Sequence, residues 1–100
     1  MRVIARKTLV TFGERHPDAK VALERWYRLL RAADWRAMDD VQKAVPRAKV
    51  LNRERARFEV AGGNYRLIVS FDFDRQNVFV KFLGTHADYD AVNALTVSQF

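Results

Sequence analysis

Two hydrophobic periods divide the chain. As far as Pro46 the apolar residues recur at three- and four-residue intervals, and beyond it they alternate. Side chains repeat every 3.6 residues around a helix and every two along a strand, so the change marks a passage from helices to a sheet. Ahead of the helices, Arg2 to Ala5 is short and partly β-branched, as a strand would be. From Thr8, read as an N-cap, L-V-T-F-G-E-R forms a short helix closed by His16-Pro17. Asp18 opens a longer helix in which Ala19, Leu23, Trp26, Tyr27 and Leu30 share a face, while Glu24 and Arg28 stand four apart on the outside. A third helical piece spans Ala37 to Ala44, before Pro46, because proline disfavours helical backbone in the residue ahead of it.

The alternating half begins with Lys49 to Leu51 and Arg57 to Ala61, separated by N-R-E-R-A. In the second of these, Phe58 and Val60 point one way and Arg57 and Glu59 the other. Gly62-Gly63-Asn64 is a hairpin signal, since glycine and asparagine accept the positive φ of tight turns. From Tyr65 the odd positions through Phe73 are apolar, and Arg66, Ile68, Ser70 and Asp72 form the other side. After the turn D-R-Q-N, strict alternation puts Val78, Val80 and Phe82 on one face and Phe79, Lys81 and Leu83 on the other. Thr85 and Asp88 have capping-box spacing, which makes Thr85 the N-cap of a last helix and His86 its first residue. The expected architecture is α+β: N-terminal helices packed on a mainly antiparallel sheet of four to five strands, with a short C-terminal helix.

One hundred residues suit a single domain, 1–100, which buries roughly 60 to 65% of the surface its unfolded chain exposes. There is no cysteine, which removes disulfides, thiolate metal sites and thiol nucleophiles. Arg6 and Lys7 interrupt the place where a signal peptide needs its apolar run, and no stretch has the length of a membrane span; a soluble, cytoplasmic protein with no membrane contact is expected. The net charge of +6 is uneven: residues 1–57 hold 15 Lys/Arg against 7 Asp/Glu, and residues 58–100 hold 3 against 5. Arg47, Lys49, Arg53, Arg55 and Arg57 are the densest part, opposed only by Glu54. Such a cluster suits a polyanion such as RNA, or an acidic protein, and it also serves as an ordinary solvated face.

The candidate chemistry gathers after the hairpin. Arg66, Lys81, His86 and Tyr89 lie on neighbouring strands or just beyond them. Each has a structural explanation when taken singly; together they offer cations for a phosphate and groups that accept or give a proton. His86 sits at the positive end of a helix dipole, a place that suits a neutral base. Cleaving RNA needs a base for the 2′-hydroxyl, positive charge on the phosphate and an acid for the leaving oxygen, and no metal. In an ideal strand Lys81 and His86 face opposite sides, so a bend at Gly84 is expected to bring them together. His16 and His86 are the only histidines and neither lies in a metal-binding array; no Walker A, G-x-G-x-x-G or G-x-S-x-G sequence occurs. No metal and no cofactor are called for.

The segments F-E-V-A-G-G-N-Y-R-L-I-V and V-F-V-K-F-L-G-T-H-A-D-Y-D closely resemble the HigB toxins of bacterial type II toxin-antitoxin systems, which are similar to the RelE superfamily of mRNA interferases. H-P-D-A-K before the long helix, Leu23 and Trp26 within it and A-D-W-R-A after it extend the resemblance over almost the whole chain. It implies a RelE-like fold and a ribosome-dependent endoribonuclease that cuts translated mRNA through 2′-hydroxyl attack without a metal. It also implies neutralisation by a HigA-type helix-turn-helix antitoxin, through which alone DNA is reached. Carried over by position, Arg66 and Lys81 bind phosphate and stabilise charge, His86 is base or acid, and Tyr89 orients or passes a proton. Asn64 and Arg57 are expected at the RNA. The alternative is a non-catalytic module with a toxin-like fold that binds RNA or protein through the Arg47 to Arg57 cluster.

Overall fold

The computed structural model describes residues 1–100. In chain order the elements are β1 (Arg2–Ile4), α1 (Arg6–Arg15), α2 (Pro17–Ala32), α3 (Met38–Ala44), β2 (Lys49–Val50), β3 (Arg55–Val60), β4 (Tyr65–Asp72), β5 (Asn77–Thr85) and α4 (His86–Asp90). One five-stranded sheet runs in the order β1-β5-β4-β3-β2. Its pairs are antiparallel except β1 with β5, where the three helices between β1 and the rest of the sheet allow a parallel return. The expected α+β class, with helices on a mainly antiparallel sheet, is what the chain forms.

Boundaries differ where local chemistry competes. α1 begins at Arg6 and not after Thr8: Ala5 is the N-cap, and the Thr8 N–H already donates to the Ala5 carbonyl at 3.2 Å. Arg6 and Lys7 are good helix formers and extend the helix backwards. α2 starts at Pro17, whose fixed φ and missing N–H suit the first helical position, with Asp18 in the first turn. The hairpin between β3 and β4 turns one residue early, with positive φ at Ala61, Gly62 and Gly63.

The helix-facing side of the sheet is the core. Phe58, Val60, Tyr65, Leu67, Val69, Phe71, Val78, Val80 and Leu83 pack with Leu9, Leu23, Trp26, Leu30, Trp35 and Val41. Trp26 meets Phe58 edge-on at 5.5 Å between ring centres, and Trp35 meets Phe71 at 6.0 Å. Full burial of each Leu or Val stabilises the fold by about 1.5–3 kcal/mol before its entropy loss is counted. The same side holds one polar cluster, where the Tyr65 hydroxyl donates to Asp18 at 2.7 Å and lies 3.4 Å from His16 Nδ1. That hydrogen bond, then burial, then the charge of Asp18 raise the Tyr65 phenol above its ordinary 10.0.

On the other side, Ile68 and Phe82 are buried outside that core. Tyr89 of α4 stands against Phe82 at 6.2 Å, and the chain's last residues cross the sheet. The Arg55 guanidinium donates to the carbonyls of Ala94 and Val97, at 3.1 and 2.8 Å. Farther on, the Gln99 N–H donates to the Lys81 carbonyl and its side-chain oxygen accepts from the Leu83 N–H, at 2.8 and 2.9 Å. β1 pairs with β5 only as far as Phe79, so the C-terminal segment satisfies backbone groups that would otherwise form an open sheet edge. No helix is long and apolar enough to cross a membrane.

Candidate functional site

Two irregularities in β5 determine which side chains share the α4 side of the sheet. The first is a bulge: Ile68 faces Phe82 while its neighbour Val69 faces Val80, which leaves Lys81 without a partner on β4. A bulge shifts the alternation by one. Val78, Val80 and Leu83 therefore enter the core, whereas Phe79 and Phe82 lie on the opposite face, in place of the strict alternation of Val78, Val80 and Phe82 expected from the sequence. The Lys81 ammonium lies 5.6 Å from the centre of the Phe79 ring, so it shares that opposite face. Lys81 keeps the face that alternation gives it; the bulge, and not a bend at Gly84, reverses the phase after it, so that Phe82 and the strand end leading into α4 return to the side of Lys81.

The second irregularity is Gly84 itself, opposite Arg66 within β5. A Cβ there would stand 2.9 Å from the Phe82 ring and 3.1 Å from both Cβ and Oδ2 of Asp88. Only a bare backbone lets the first turn of α4 lie this close. The turn is capped as its spacing predicts: the Asp88 N–H donates to Thr85 Oγ1 at 3.1 Å, and Asp88 Oδ2 accepts from the Thr85 N–H at 3.2 Å. His86 is its first residue.

Arg57 and Glu59 on β3 and Arg66 on β4 form the centre of the site. Glu59 and Arg66 are direct cross-strand partners. One carboxylate oxygen of Glu59 lies 3.7 Å from the Arg57 guanidinium and 3.8 Å from that of Arg66. The Arg66 guanidinium also donates to the Gly63 carbonyl, which anchors it beneath the hairpin. Tyr89 lays its ring 5.6 Å from the Arg57 guanidinium carbon, a cation–π contact. Arg66 is 8% exposed, not a solvated strand residue. The Nε atoms of both arginines are buried and have no hydrogen-bond partner. A buried guanidinium with a free donor is unfavourable unless an anion completes it. Two guanidiniums around one carboxylate carry a net positive charge, which suits an anion such as a phosphate.

The other expected residues are spread over α4, β5, the hairpin and the surroundings of β2. His86 and Asp90 form an exposed pair on α4, with Nδ1 at 3.1 Å from the carboxylate. Lys81 flanks the face beside Phe79. Asn64 is exposed in the hairpin. Lys49 pairs with Arg57 across β2 and β3, while Arg47 and Arg53 are exposed to either side of β2. Arg55 is committed to the C-terminal carbonyls, which gives it a structural task. Glu59 has no distinguishing signal in the sequence. Its alternation with Arg57 was visible there, but its position opposite Arg66 depends on the hairpin register.

Comparison with known proteins identifies the family. The family model of the HigB toxin, described as the RelE-like toxic component of a toxin-antitoxin system, matches residues 19–92, a span that includes every residue of the central cluster. The mRNA interferase HigB of Escherichia coli O6:H1 (strain CFT073) is 25% identical over 92 residues, covering 90% of this chain and 89% of that protein. With the matched span running from α2 through the end of α4, the chain belongs to the HigB toxin family.

Proposed function

We propose that the protein is a ribosome-dependent endoribonuclease that cuts mRNA under translation and is held inactive by a HigA-type antitoxin. The observation that carries this reading is the pairing of the Arg57 and Arg66 guanidiniums about Glu59 on the α4 side of the sheet, the first partly exposed and the second buried, with neither Nε bonded within the chain. They offer positive charge to one phosphate on the face of the sheet that also carries Lys81 and α4, whose first residue is His86. The relative's name, mRNA interferase, supports RNA as the bearer of that phosphate.

In the proposed reaction Arg66, with Arg57 beside it, grips the scissile phosphate and Lys81 adds charge from β5. The 2′-hydroxyl loses its proton and its oxygen attacks the adjacent phosphorus. A cyclic phosphate forms as the bond to the 5′-oxygen breaks, and that oxygen takes up a proton. His86 serves as base or acid, and Tyr89 orients the nucleotide or passes a proton. Guanidiniums fixed before the substrate arrives need little reorganisation as charge grows on the phosphate oxygens, which is where most of the acceleration originates. The chemistry requires no metal or cofactor. Arg47, Lys49, Arg53 and Asn64 meet the flanking RNA or the ribosome, a contact that weakens as salt rises.

Induced expression is expected to arrest growth and to leave cut mRNA on translating ribosomes. His86→Ala and Arg66→Ala relieve the arrest while the fold remains intact. Uncut mRNA on ribosomes exposed to folded wild-type protein would refute the proposal. One observation favours a second reading, a non-catalytic binding module: the polar partner of His86 is Asp90 and not the arginine cluster. On that reading His86→Ala has no phenotype, and charge reversal at Arg53 lowers RNA binding.

A further inference from the structure

Lys81 is the strand cation that the proposed reaction places at the phosphate, yet little on its own strand holds it. The bulge leaves it without a partner on β4, and β1 ends its pairing with β5 at Phe79. Its ammonium makes no ion pair within the chain and rests 5.6 Å from the centre of the Phe79 ring. A flexible lysine stem with so few contacts is aimed chiefly by the backbone from which it leaves. At a bulge the ladder does not fix that backbone.

One residue supplies the missing bonds. The Gln99 N–H donates to the Lys81 carbonyl at 2.8 Å, and Gln99 Oε1 accepts from the Leu83 N–H at 2.9 Å. Gln99 thus makes the pair of bonds that a residue of a parallel neighbour would make, with a side-chain oxygen in place of a main-chain one. The two bonds hold the peptide planes on either side of Phe82, the residue that follows the lysine, and so bracket the bulge from outside the sheet.

The bracket is itself tied down. The Asn93 carbonyl accepts from the N–H groups of Thr96 and Val97, and the Arg55 guanidinium grips the carbonyls of Ala94 and Val97. Only Ser98 lies between that grip and Gln99. All of these tail residues follow position 92, where the span matched to the family ends. Covering an open edge asks only that its polar groups be bonded, whereas here both bonds fall around the one β5 residue assigned to the phosphate.

We propose that Gln99 is a positioning residue for RNA cleavage: by bracketing the bulge it holds the Lys81 ammonium where charge grows on the scissile phosphate. Gln99 acts through Lys81 and touches neither the RNA nor the reacting atoms. The inference rests on the role proposed for Lys81, so its test includes that residue.

Wild type, Gln99→Ala, Lys81→Met and the double variant are compared on mRNA in programmed ribosomes for kcat and KM, with a thermal melt and hydrogen exchange at the Leu83 amide. Gln99→Ala is expected to lower kcat about 10- to 100-fold, the cost of misplacing a reacting cation by up to about 1 Å, while KM stays within about threefold. Exchange at Leu83 quickens, and the Tm falls by about 4–8 °C for the lost hydrogen bond, whether or not Lys81 is present. In the Lys81→Met background the same change lowers kcat no further, because the group it positions is gone. A kcat for Gln99→Ala within about threefold of wild type, an equal fractional loss without Lys81, a change confined to KM, or an unaltered Leu83 amide would each overturn the inference. A wild type that leaves mRNA uncut, or a Lys81→Met variant that cleaves like wild type, removes the reading beneath it as well, and either result is visible apart from Gln99.

Discussion

Replacing Arg66 with lysine separates charge from geometry at the centre of the site. Lysine keeps the positive charge and most of the aliphatic stem that is buried beside β3, but it gives up the planar fork and the free Nε donor. Removing one pre-arranged donor from a developing oxyanion typically raises the barrier by about 2.7–4 kcal/mol, a loss of roughly 10²–10³ in rate. The fold should barely notice. The contact at risk is the hydrogen bond to the Gly63 carbonyl, which a lysine ammonium can partly replace. A loss of about 1 kcal/mol is therefore expected, which lowers the Tm of a domain this size by about 4–8 °C. The assay is primer extension on mRNA recovered from translating ribosomes incubated with equal amounts of wild-type and variant protein, alongside a thermal melt. A variant that melts within that range and cleaves at no less than about a third of the wild-type rate would refute the reasoning, since the fork would then have no special part in the transition state. If cleavage falls only in proportion to an unfolding far larger than expected, Arg66 is a structural residue.

Other changes probe the supports of the site. Gly84→Ala places a methyl 2.9 Å from the Phe82 ring and 3.1 Å from Asp88, so it should lower stability by about 1–3 kcal/mol in a denaturant titration and push α4 from the sheet, reducing cleavage further. Thr85→Ala removes the hydroxyl that accepts from the Asp88 N–H; a loss of about 1 kcal/mol in the same titration is expected, with a fall in activity because His86 and Tyr89 ride on that turn. Tyr65 predicts an alkaline dependence. Its phenol is raised above 10.0 in the fold, so the neutral form is favoured there, and the stabilisation is intact below pH 10 and shrinks as pH climbs past it. Melts between about pH 8 and about pH 11 should show a steeper alkaline decline for wild type than for Tyr65→Phe, which is less stable at neutral pH. Parallel curves would argue against the Asp18 hydrogen bond.

The switch from helix to sheet at Pro46, the long helix, the hairpin at the glycines and the cap at Thr85 are all written in local chemistry: a period, a backbone preference, a residue pair at a fixed spacing. Each was legible because the residues that determine it are neighbours in the chain. The site was less legible because it depends on register. Arg66 reads as an ordinary strand arginine until its neighbours across the sheet are known, and Glu59 gains its place only by facing it from β3. Lys81 is the sharpest case. The segment Val78 to Leu83 alternates in sequence without a break, and nothing in those residues announces that Lys81 has no partner on β4. What forces the bulge is long-range: Leu83 must enter the core opposite Leu67, and Val80 must do so opposite Val69. Keeping both apolar residues in the core requires one extra residue between them, and the residue squeezed out is the lysine. The packing of one face thus brings Phe82 and the turn of α4 round to the face of Lys81, the face that also carries Arg57 and Arg66.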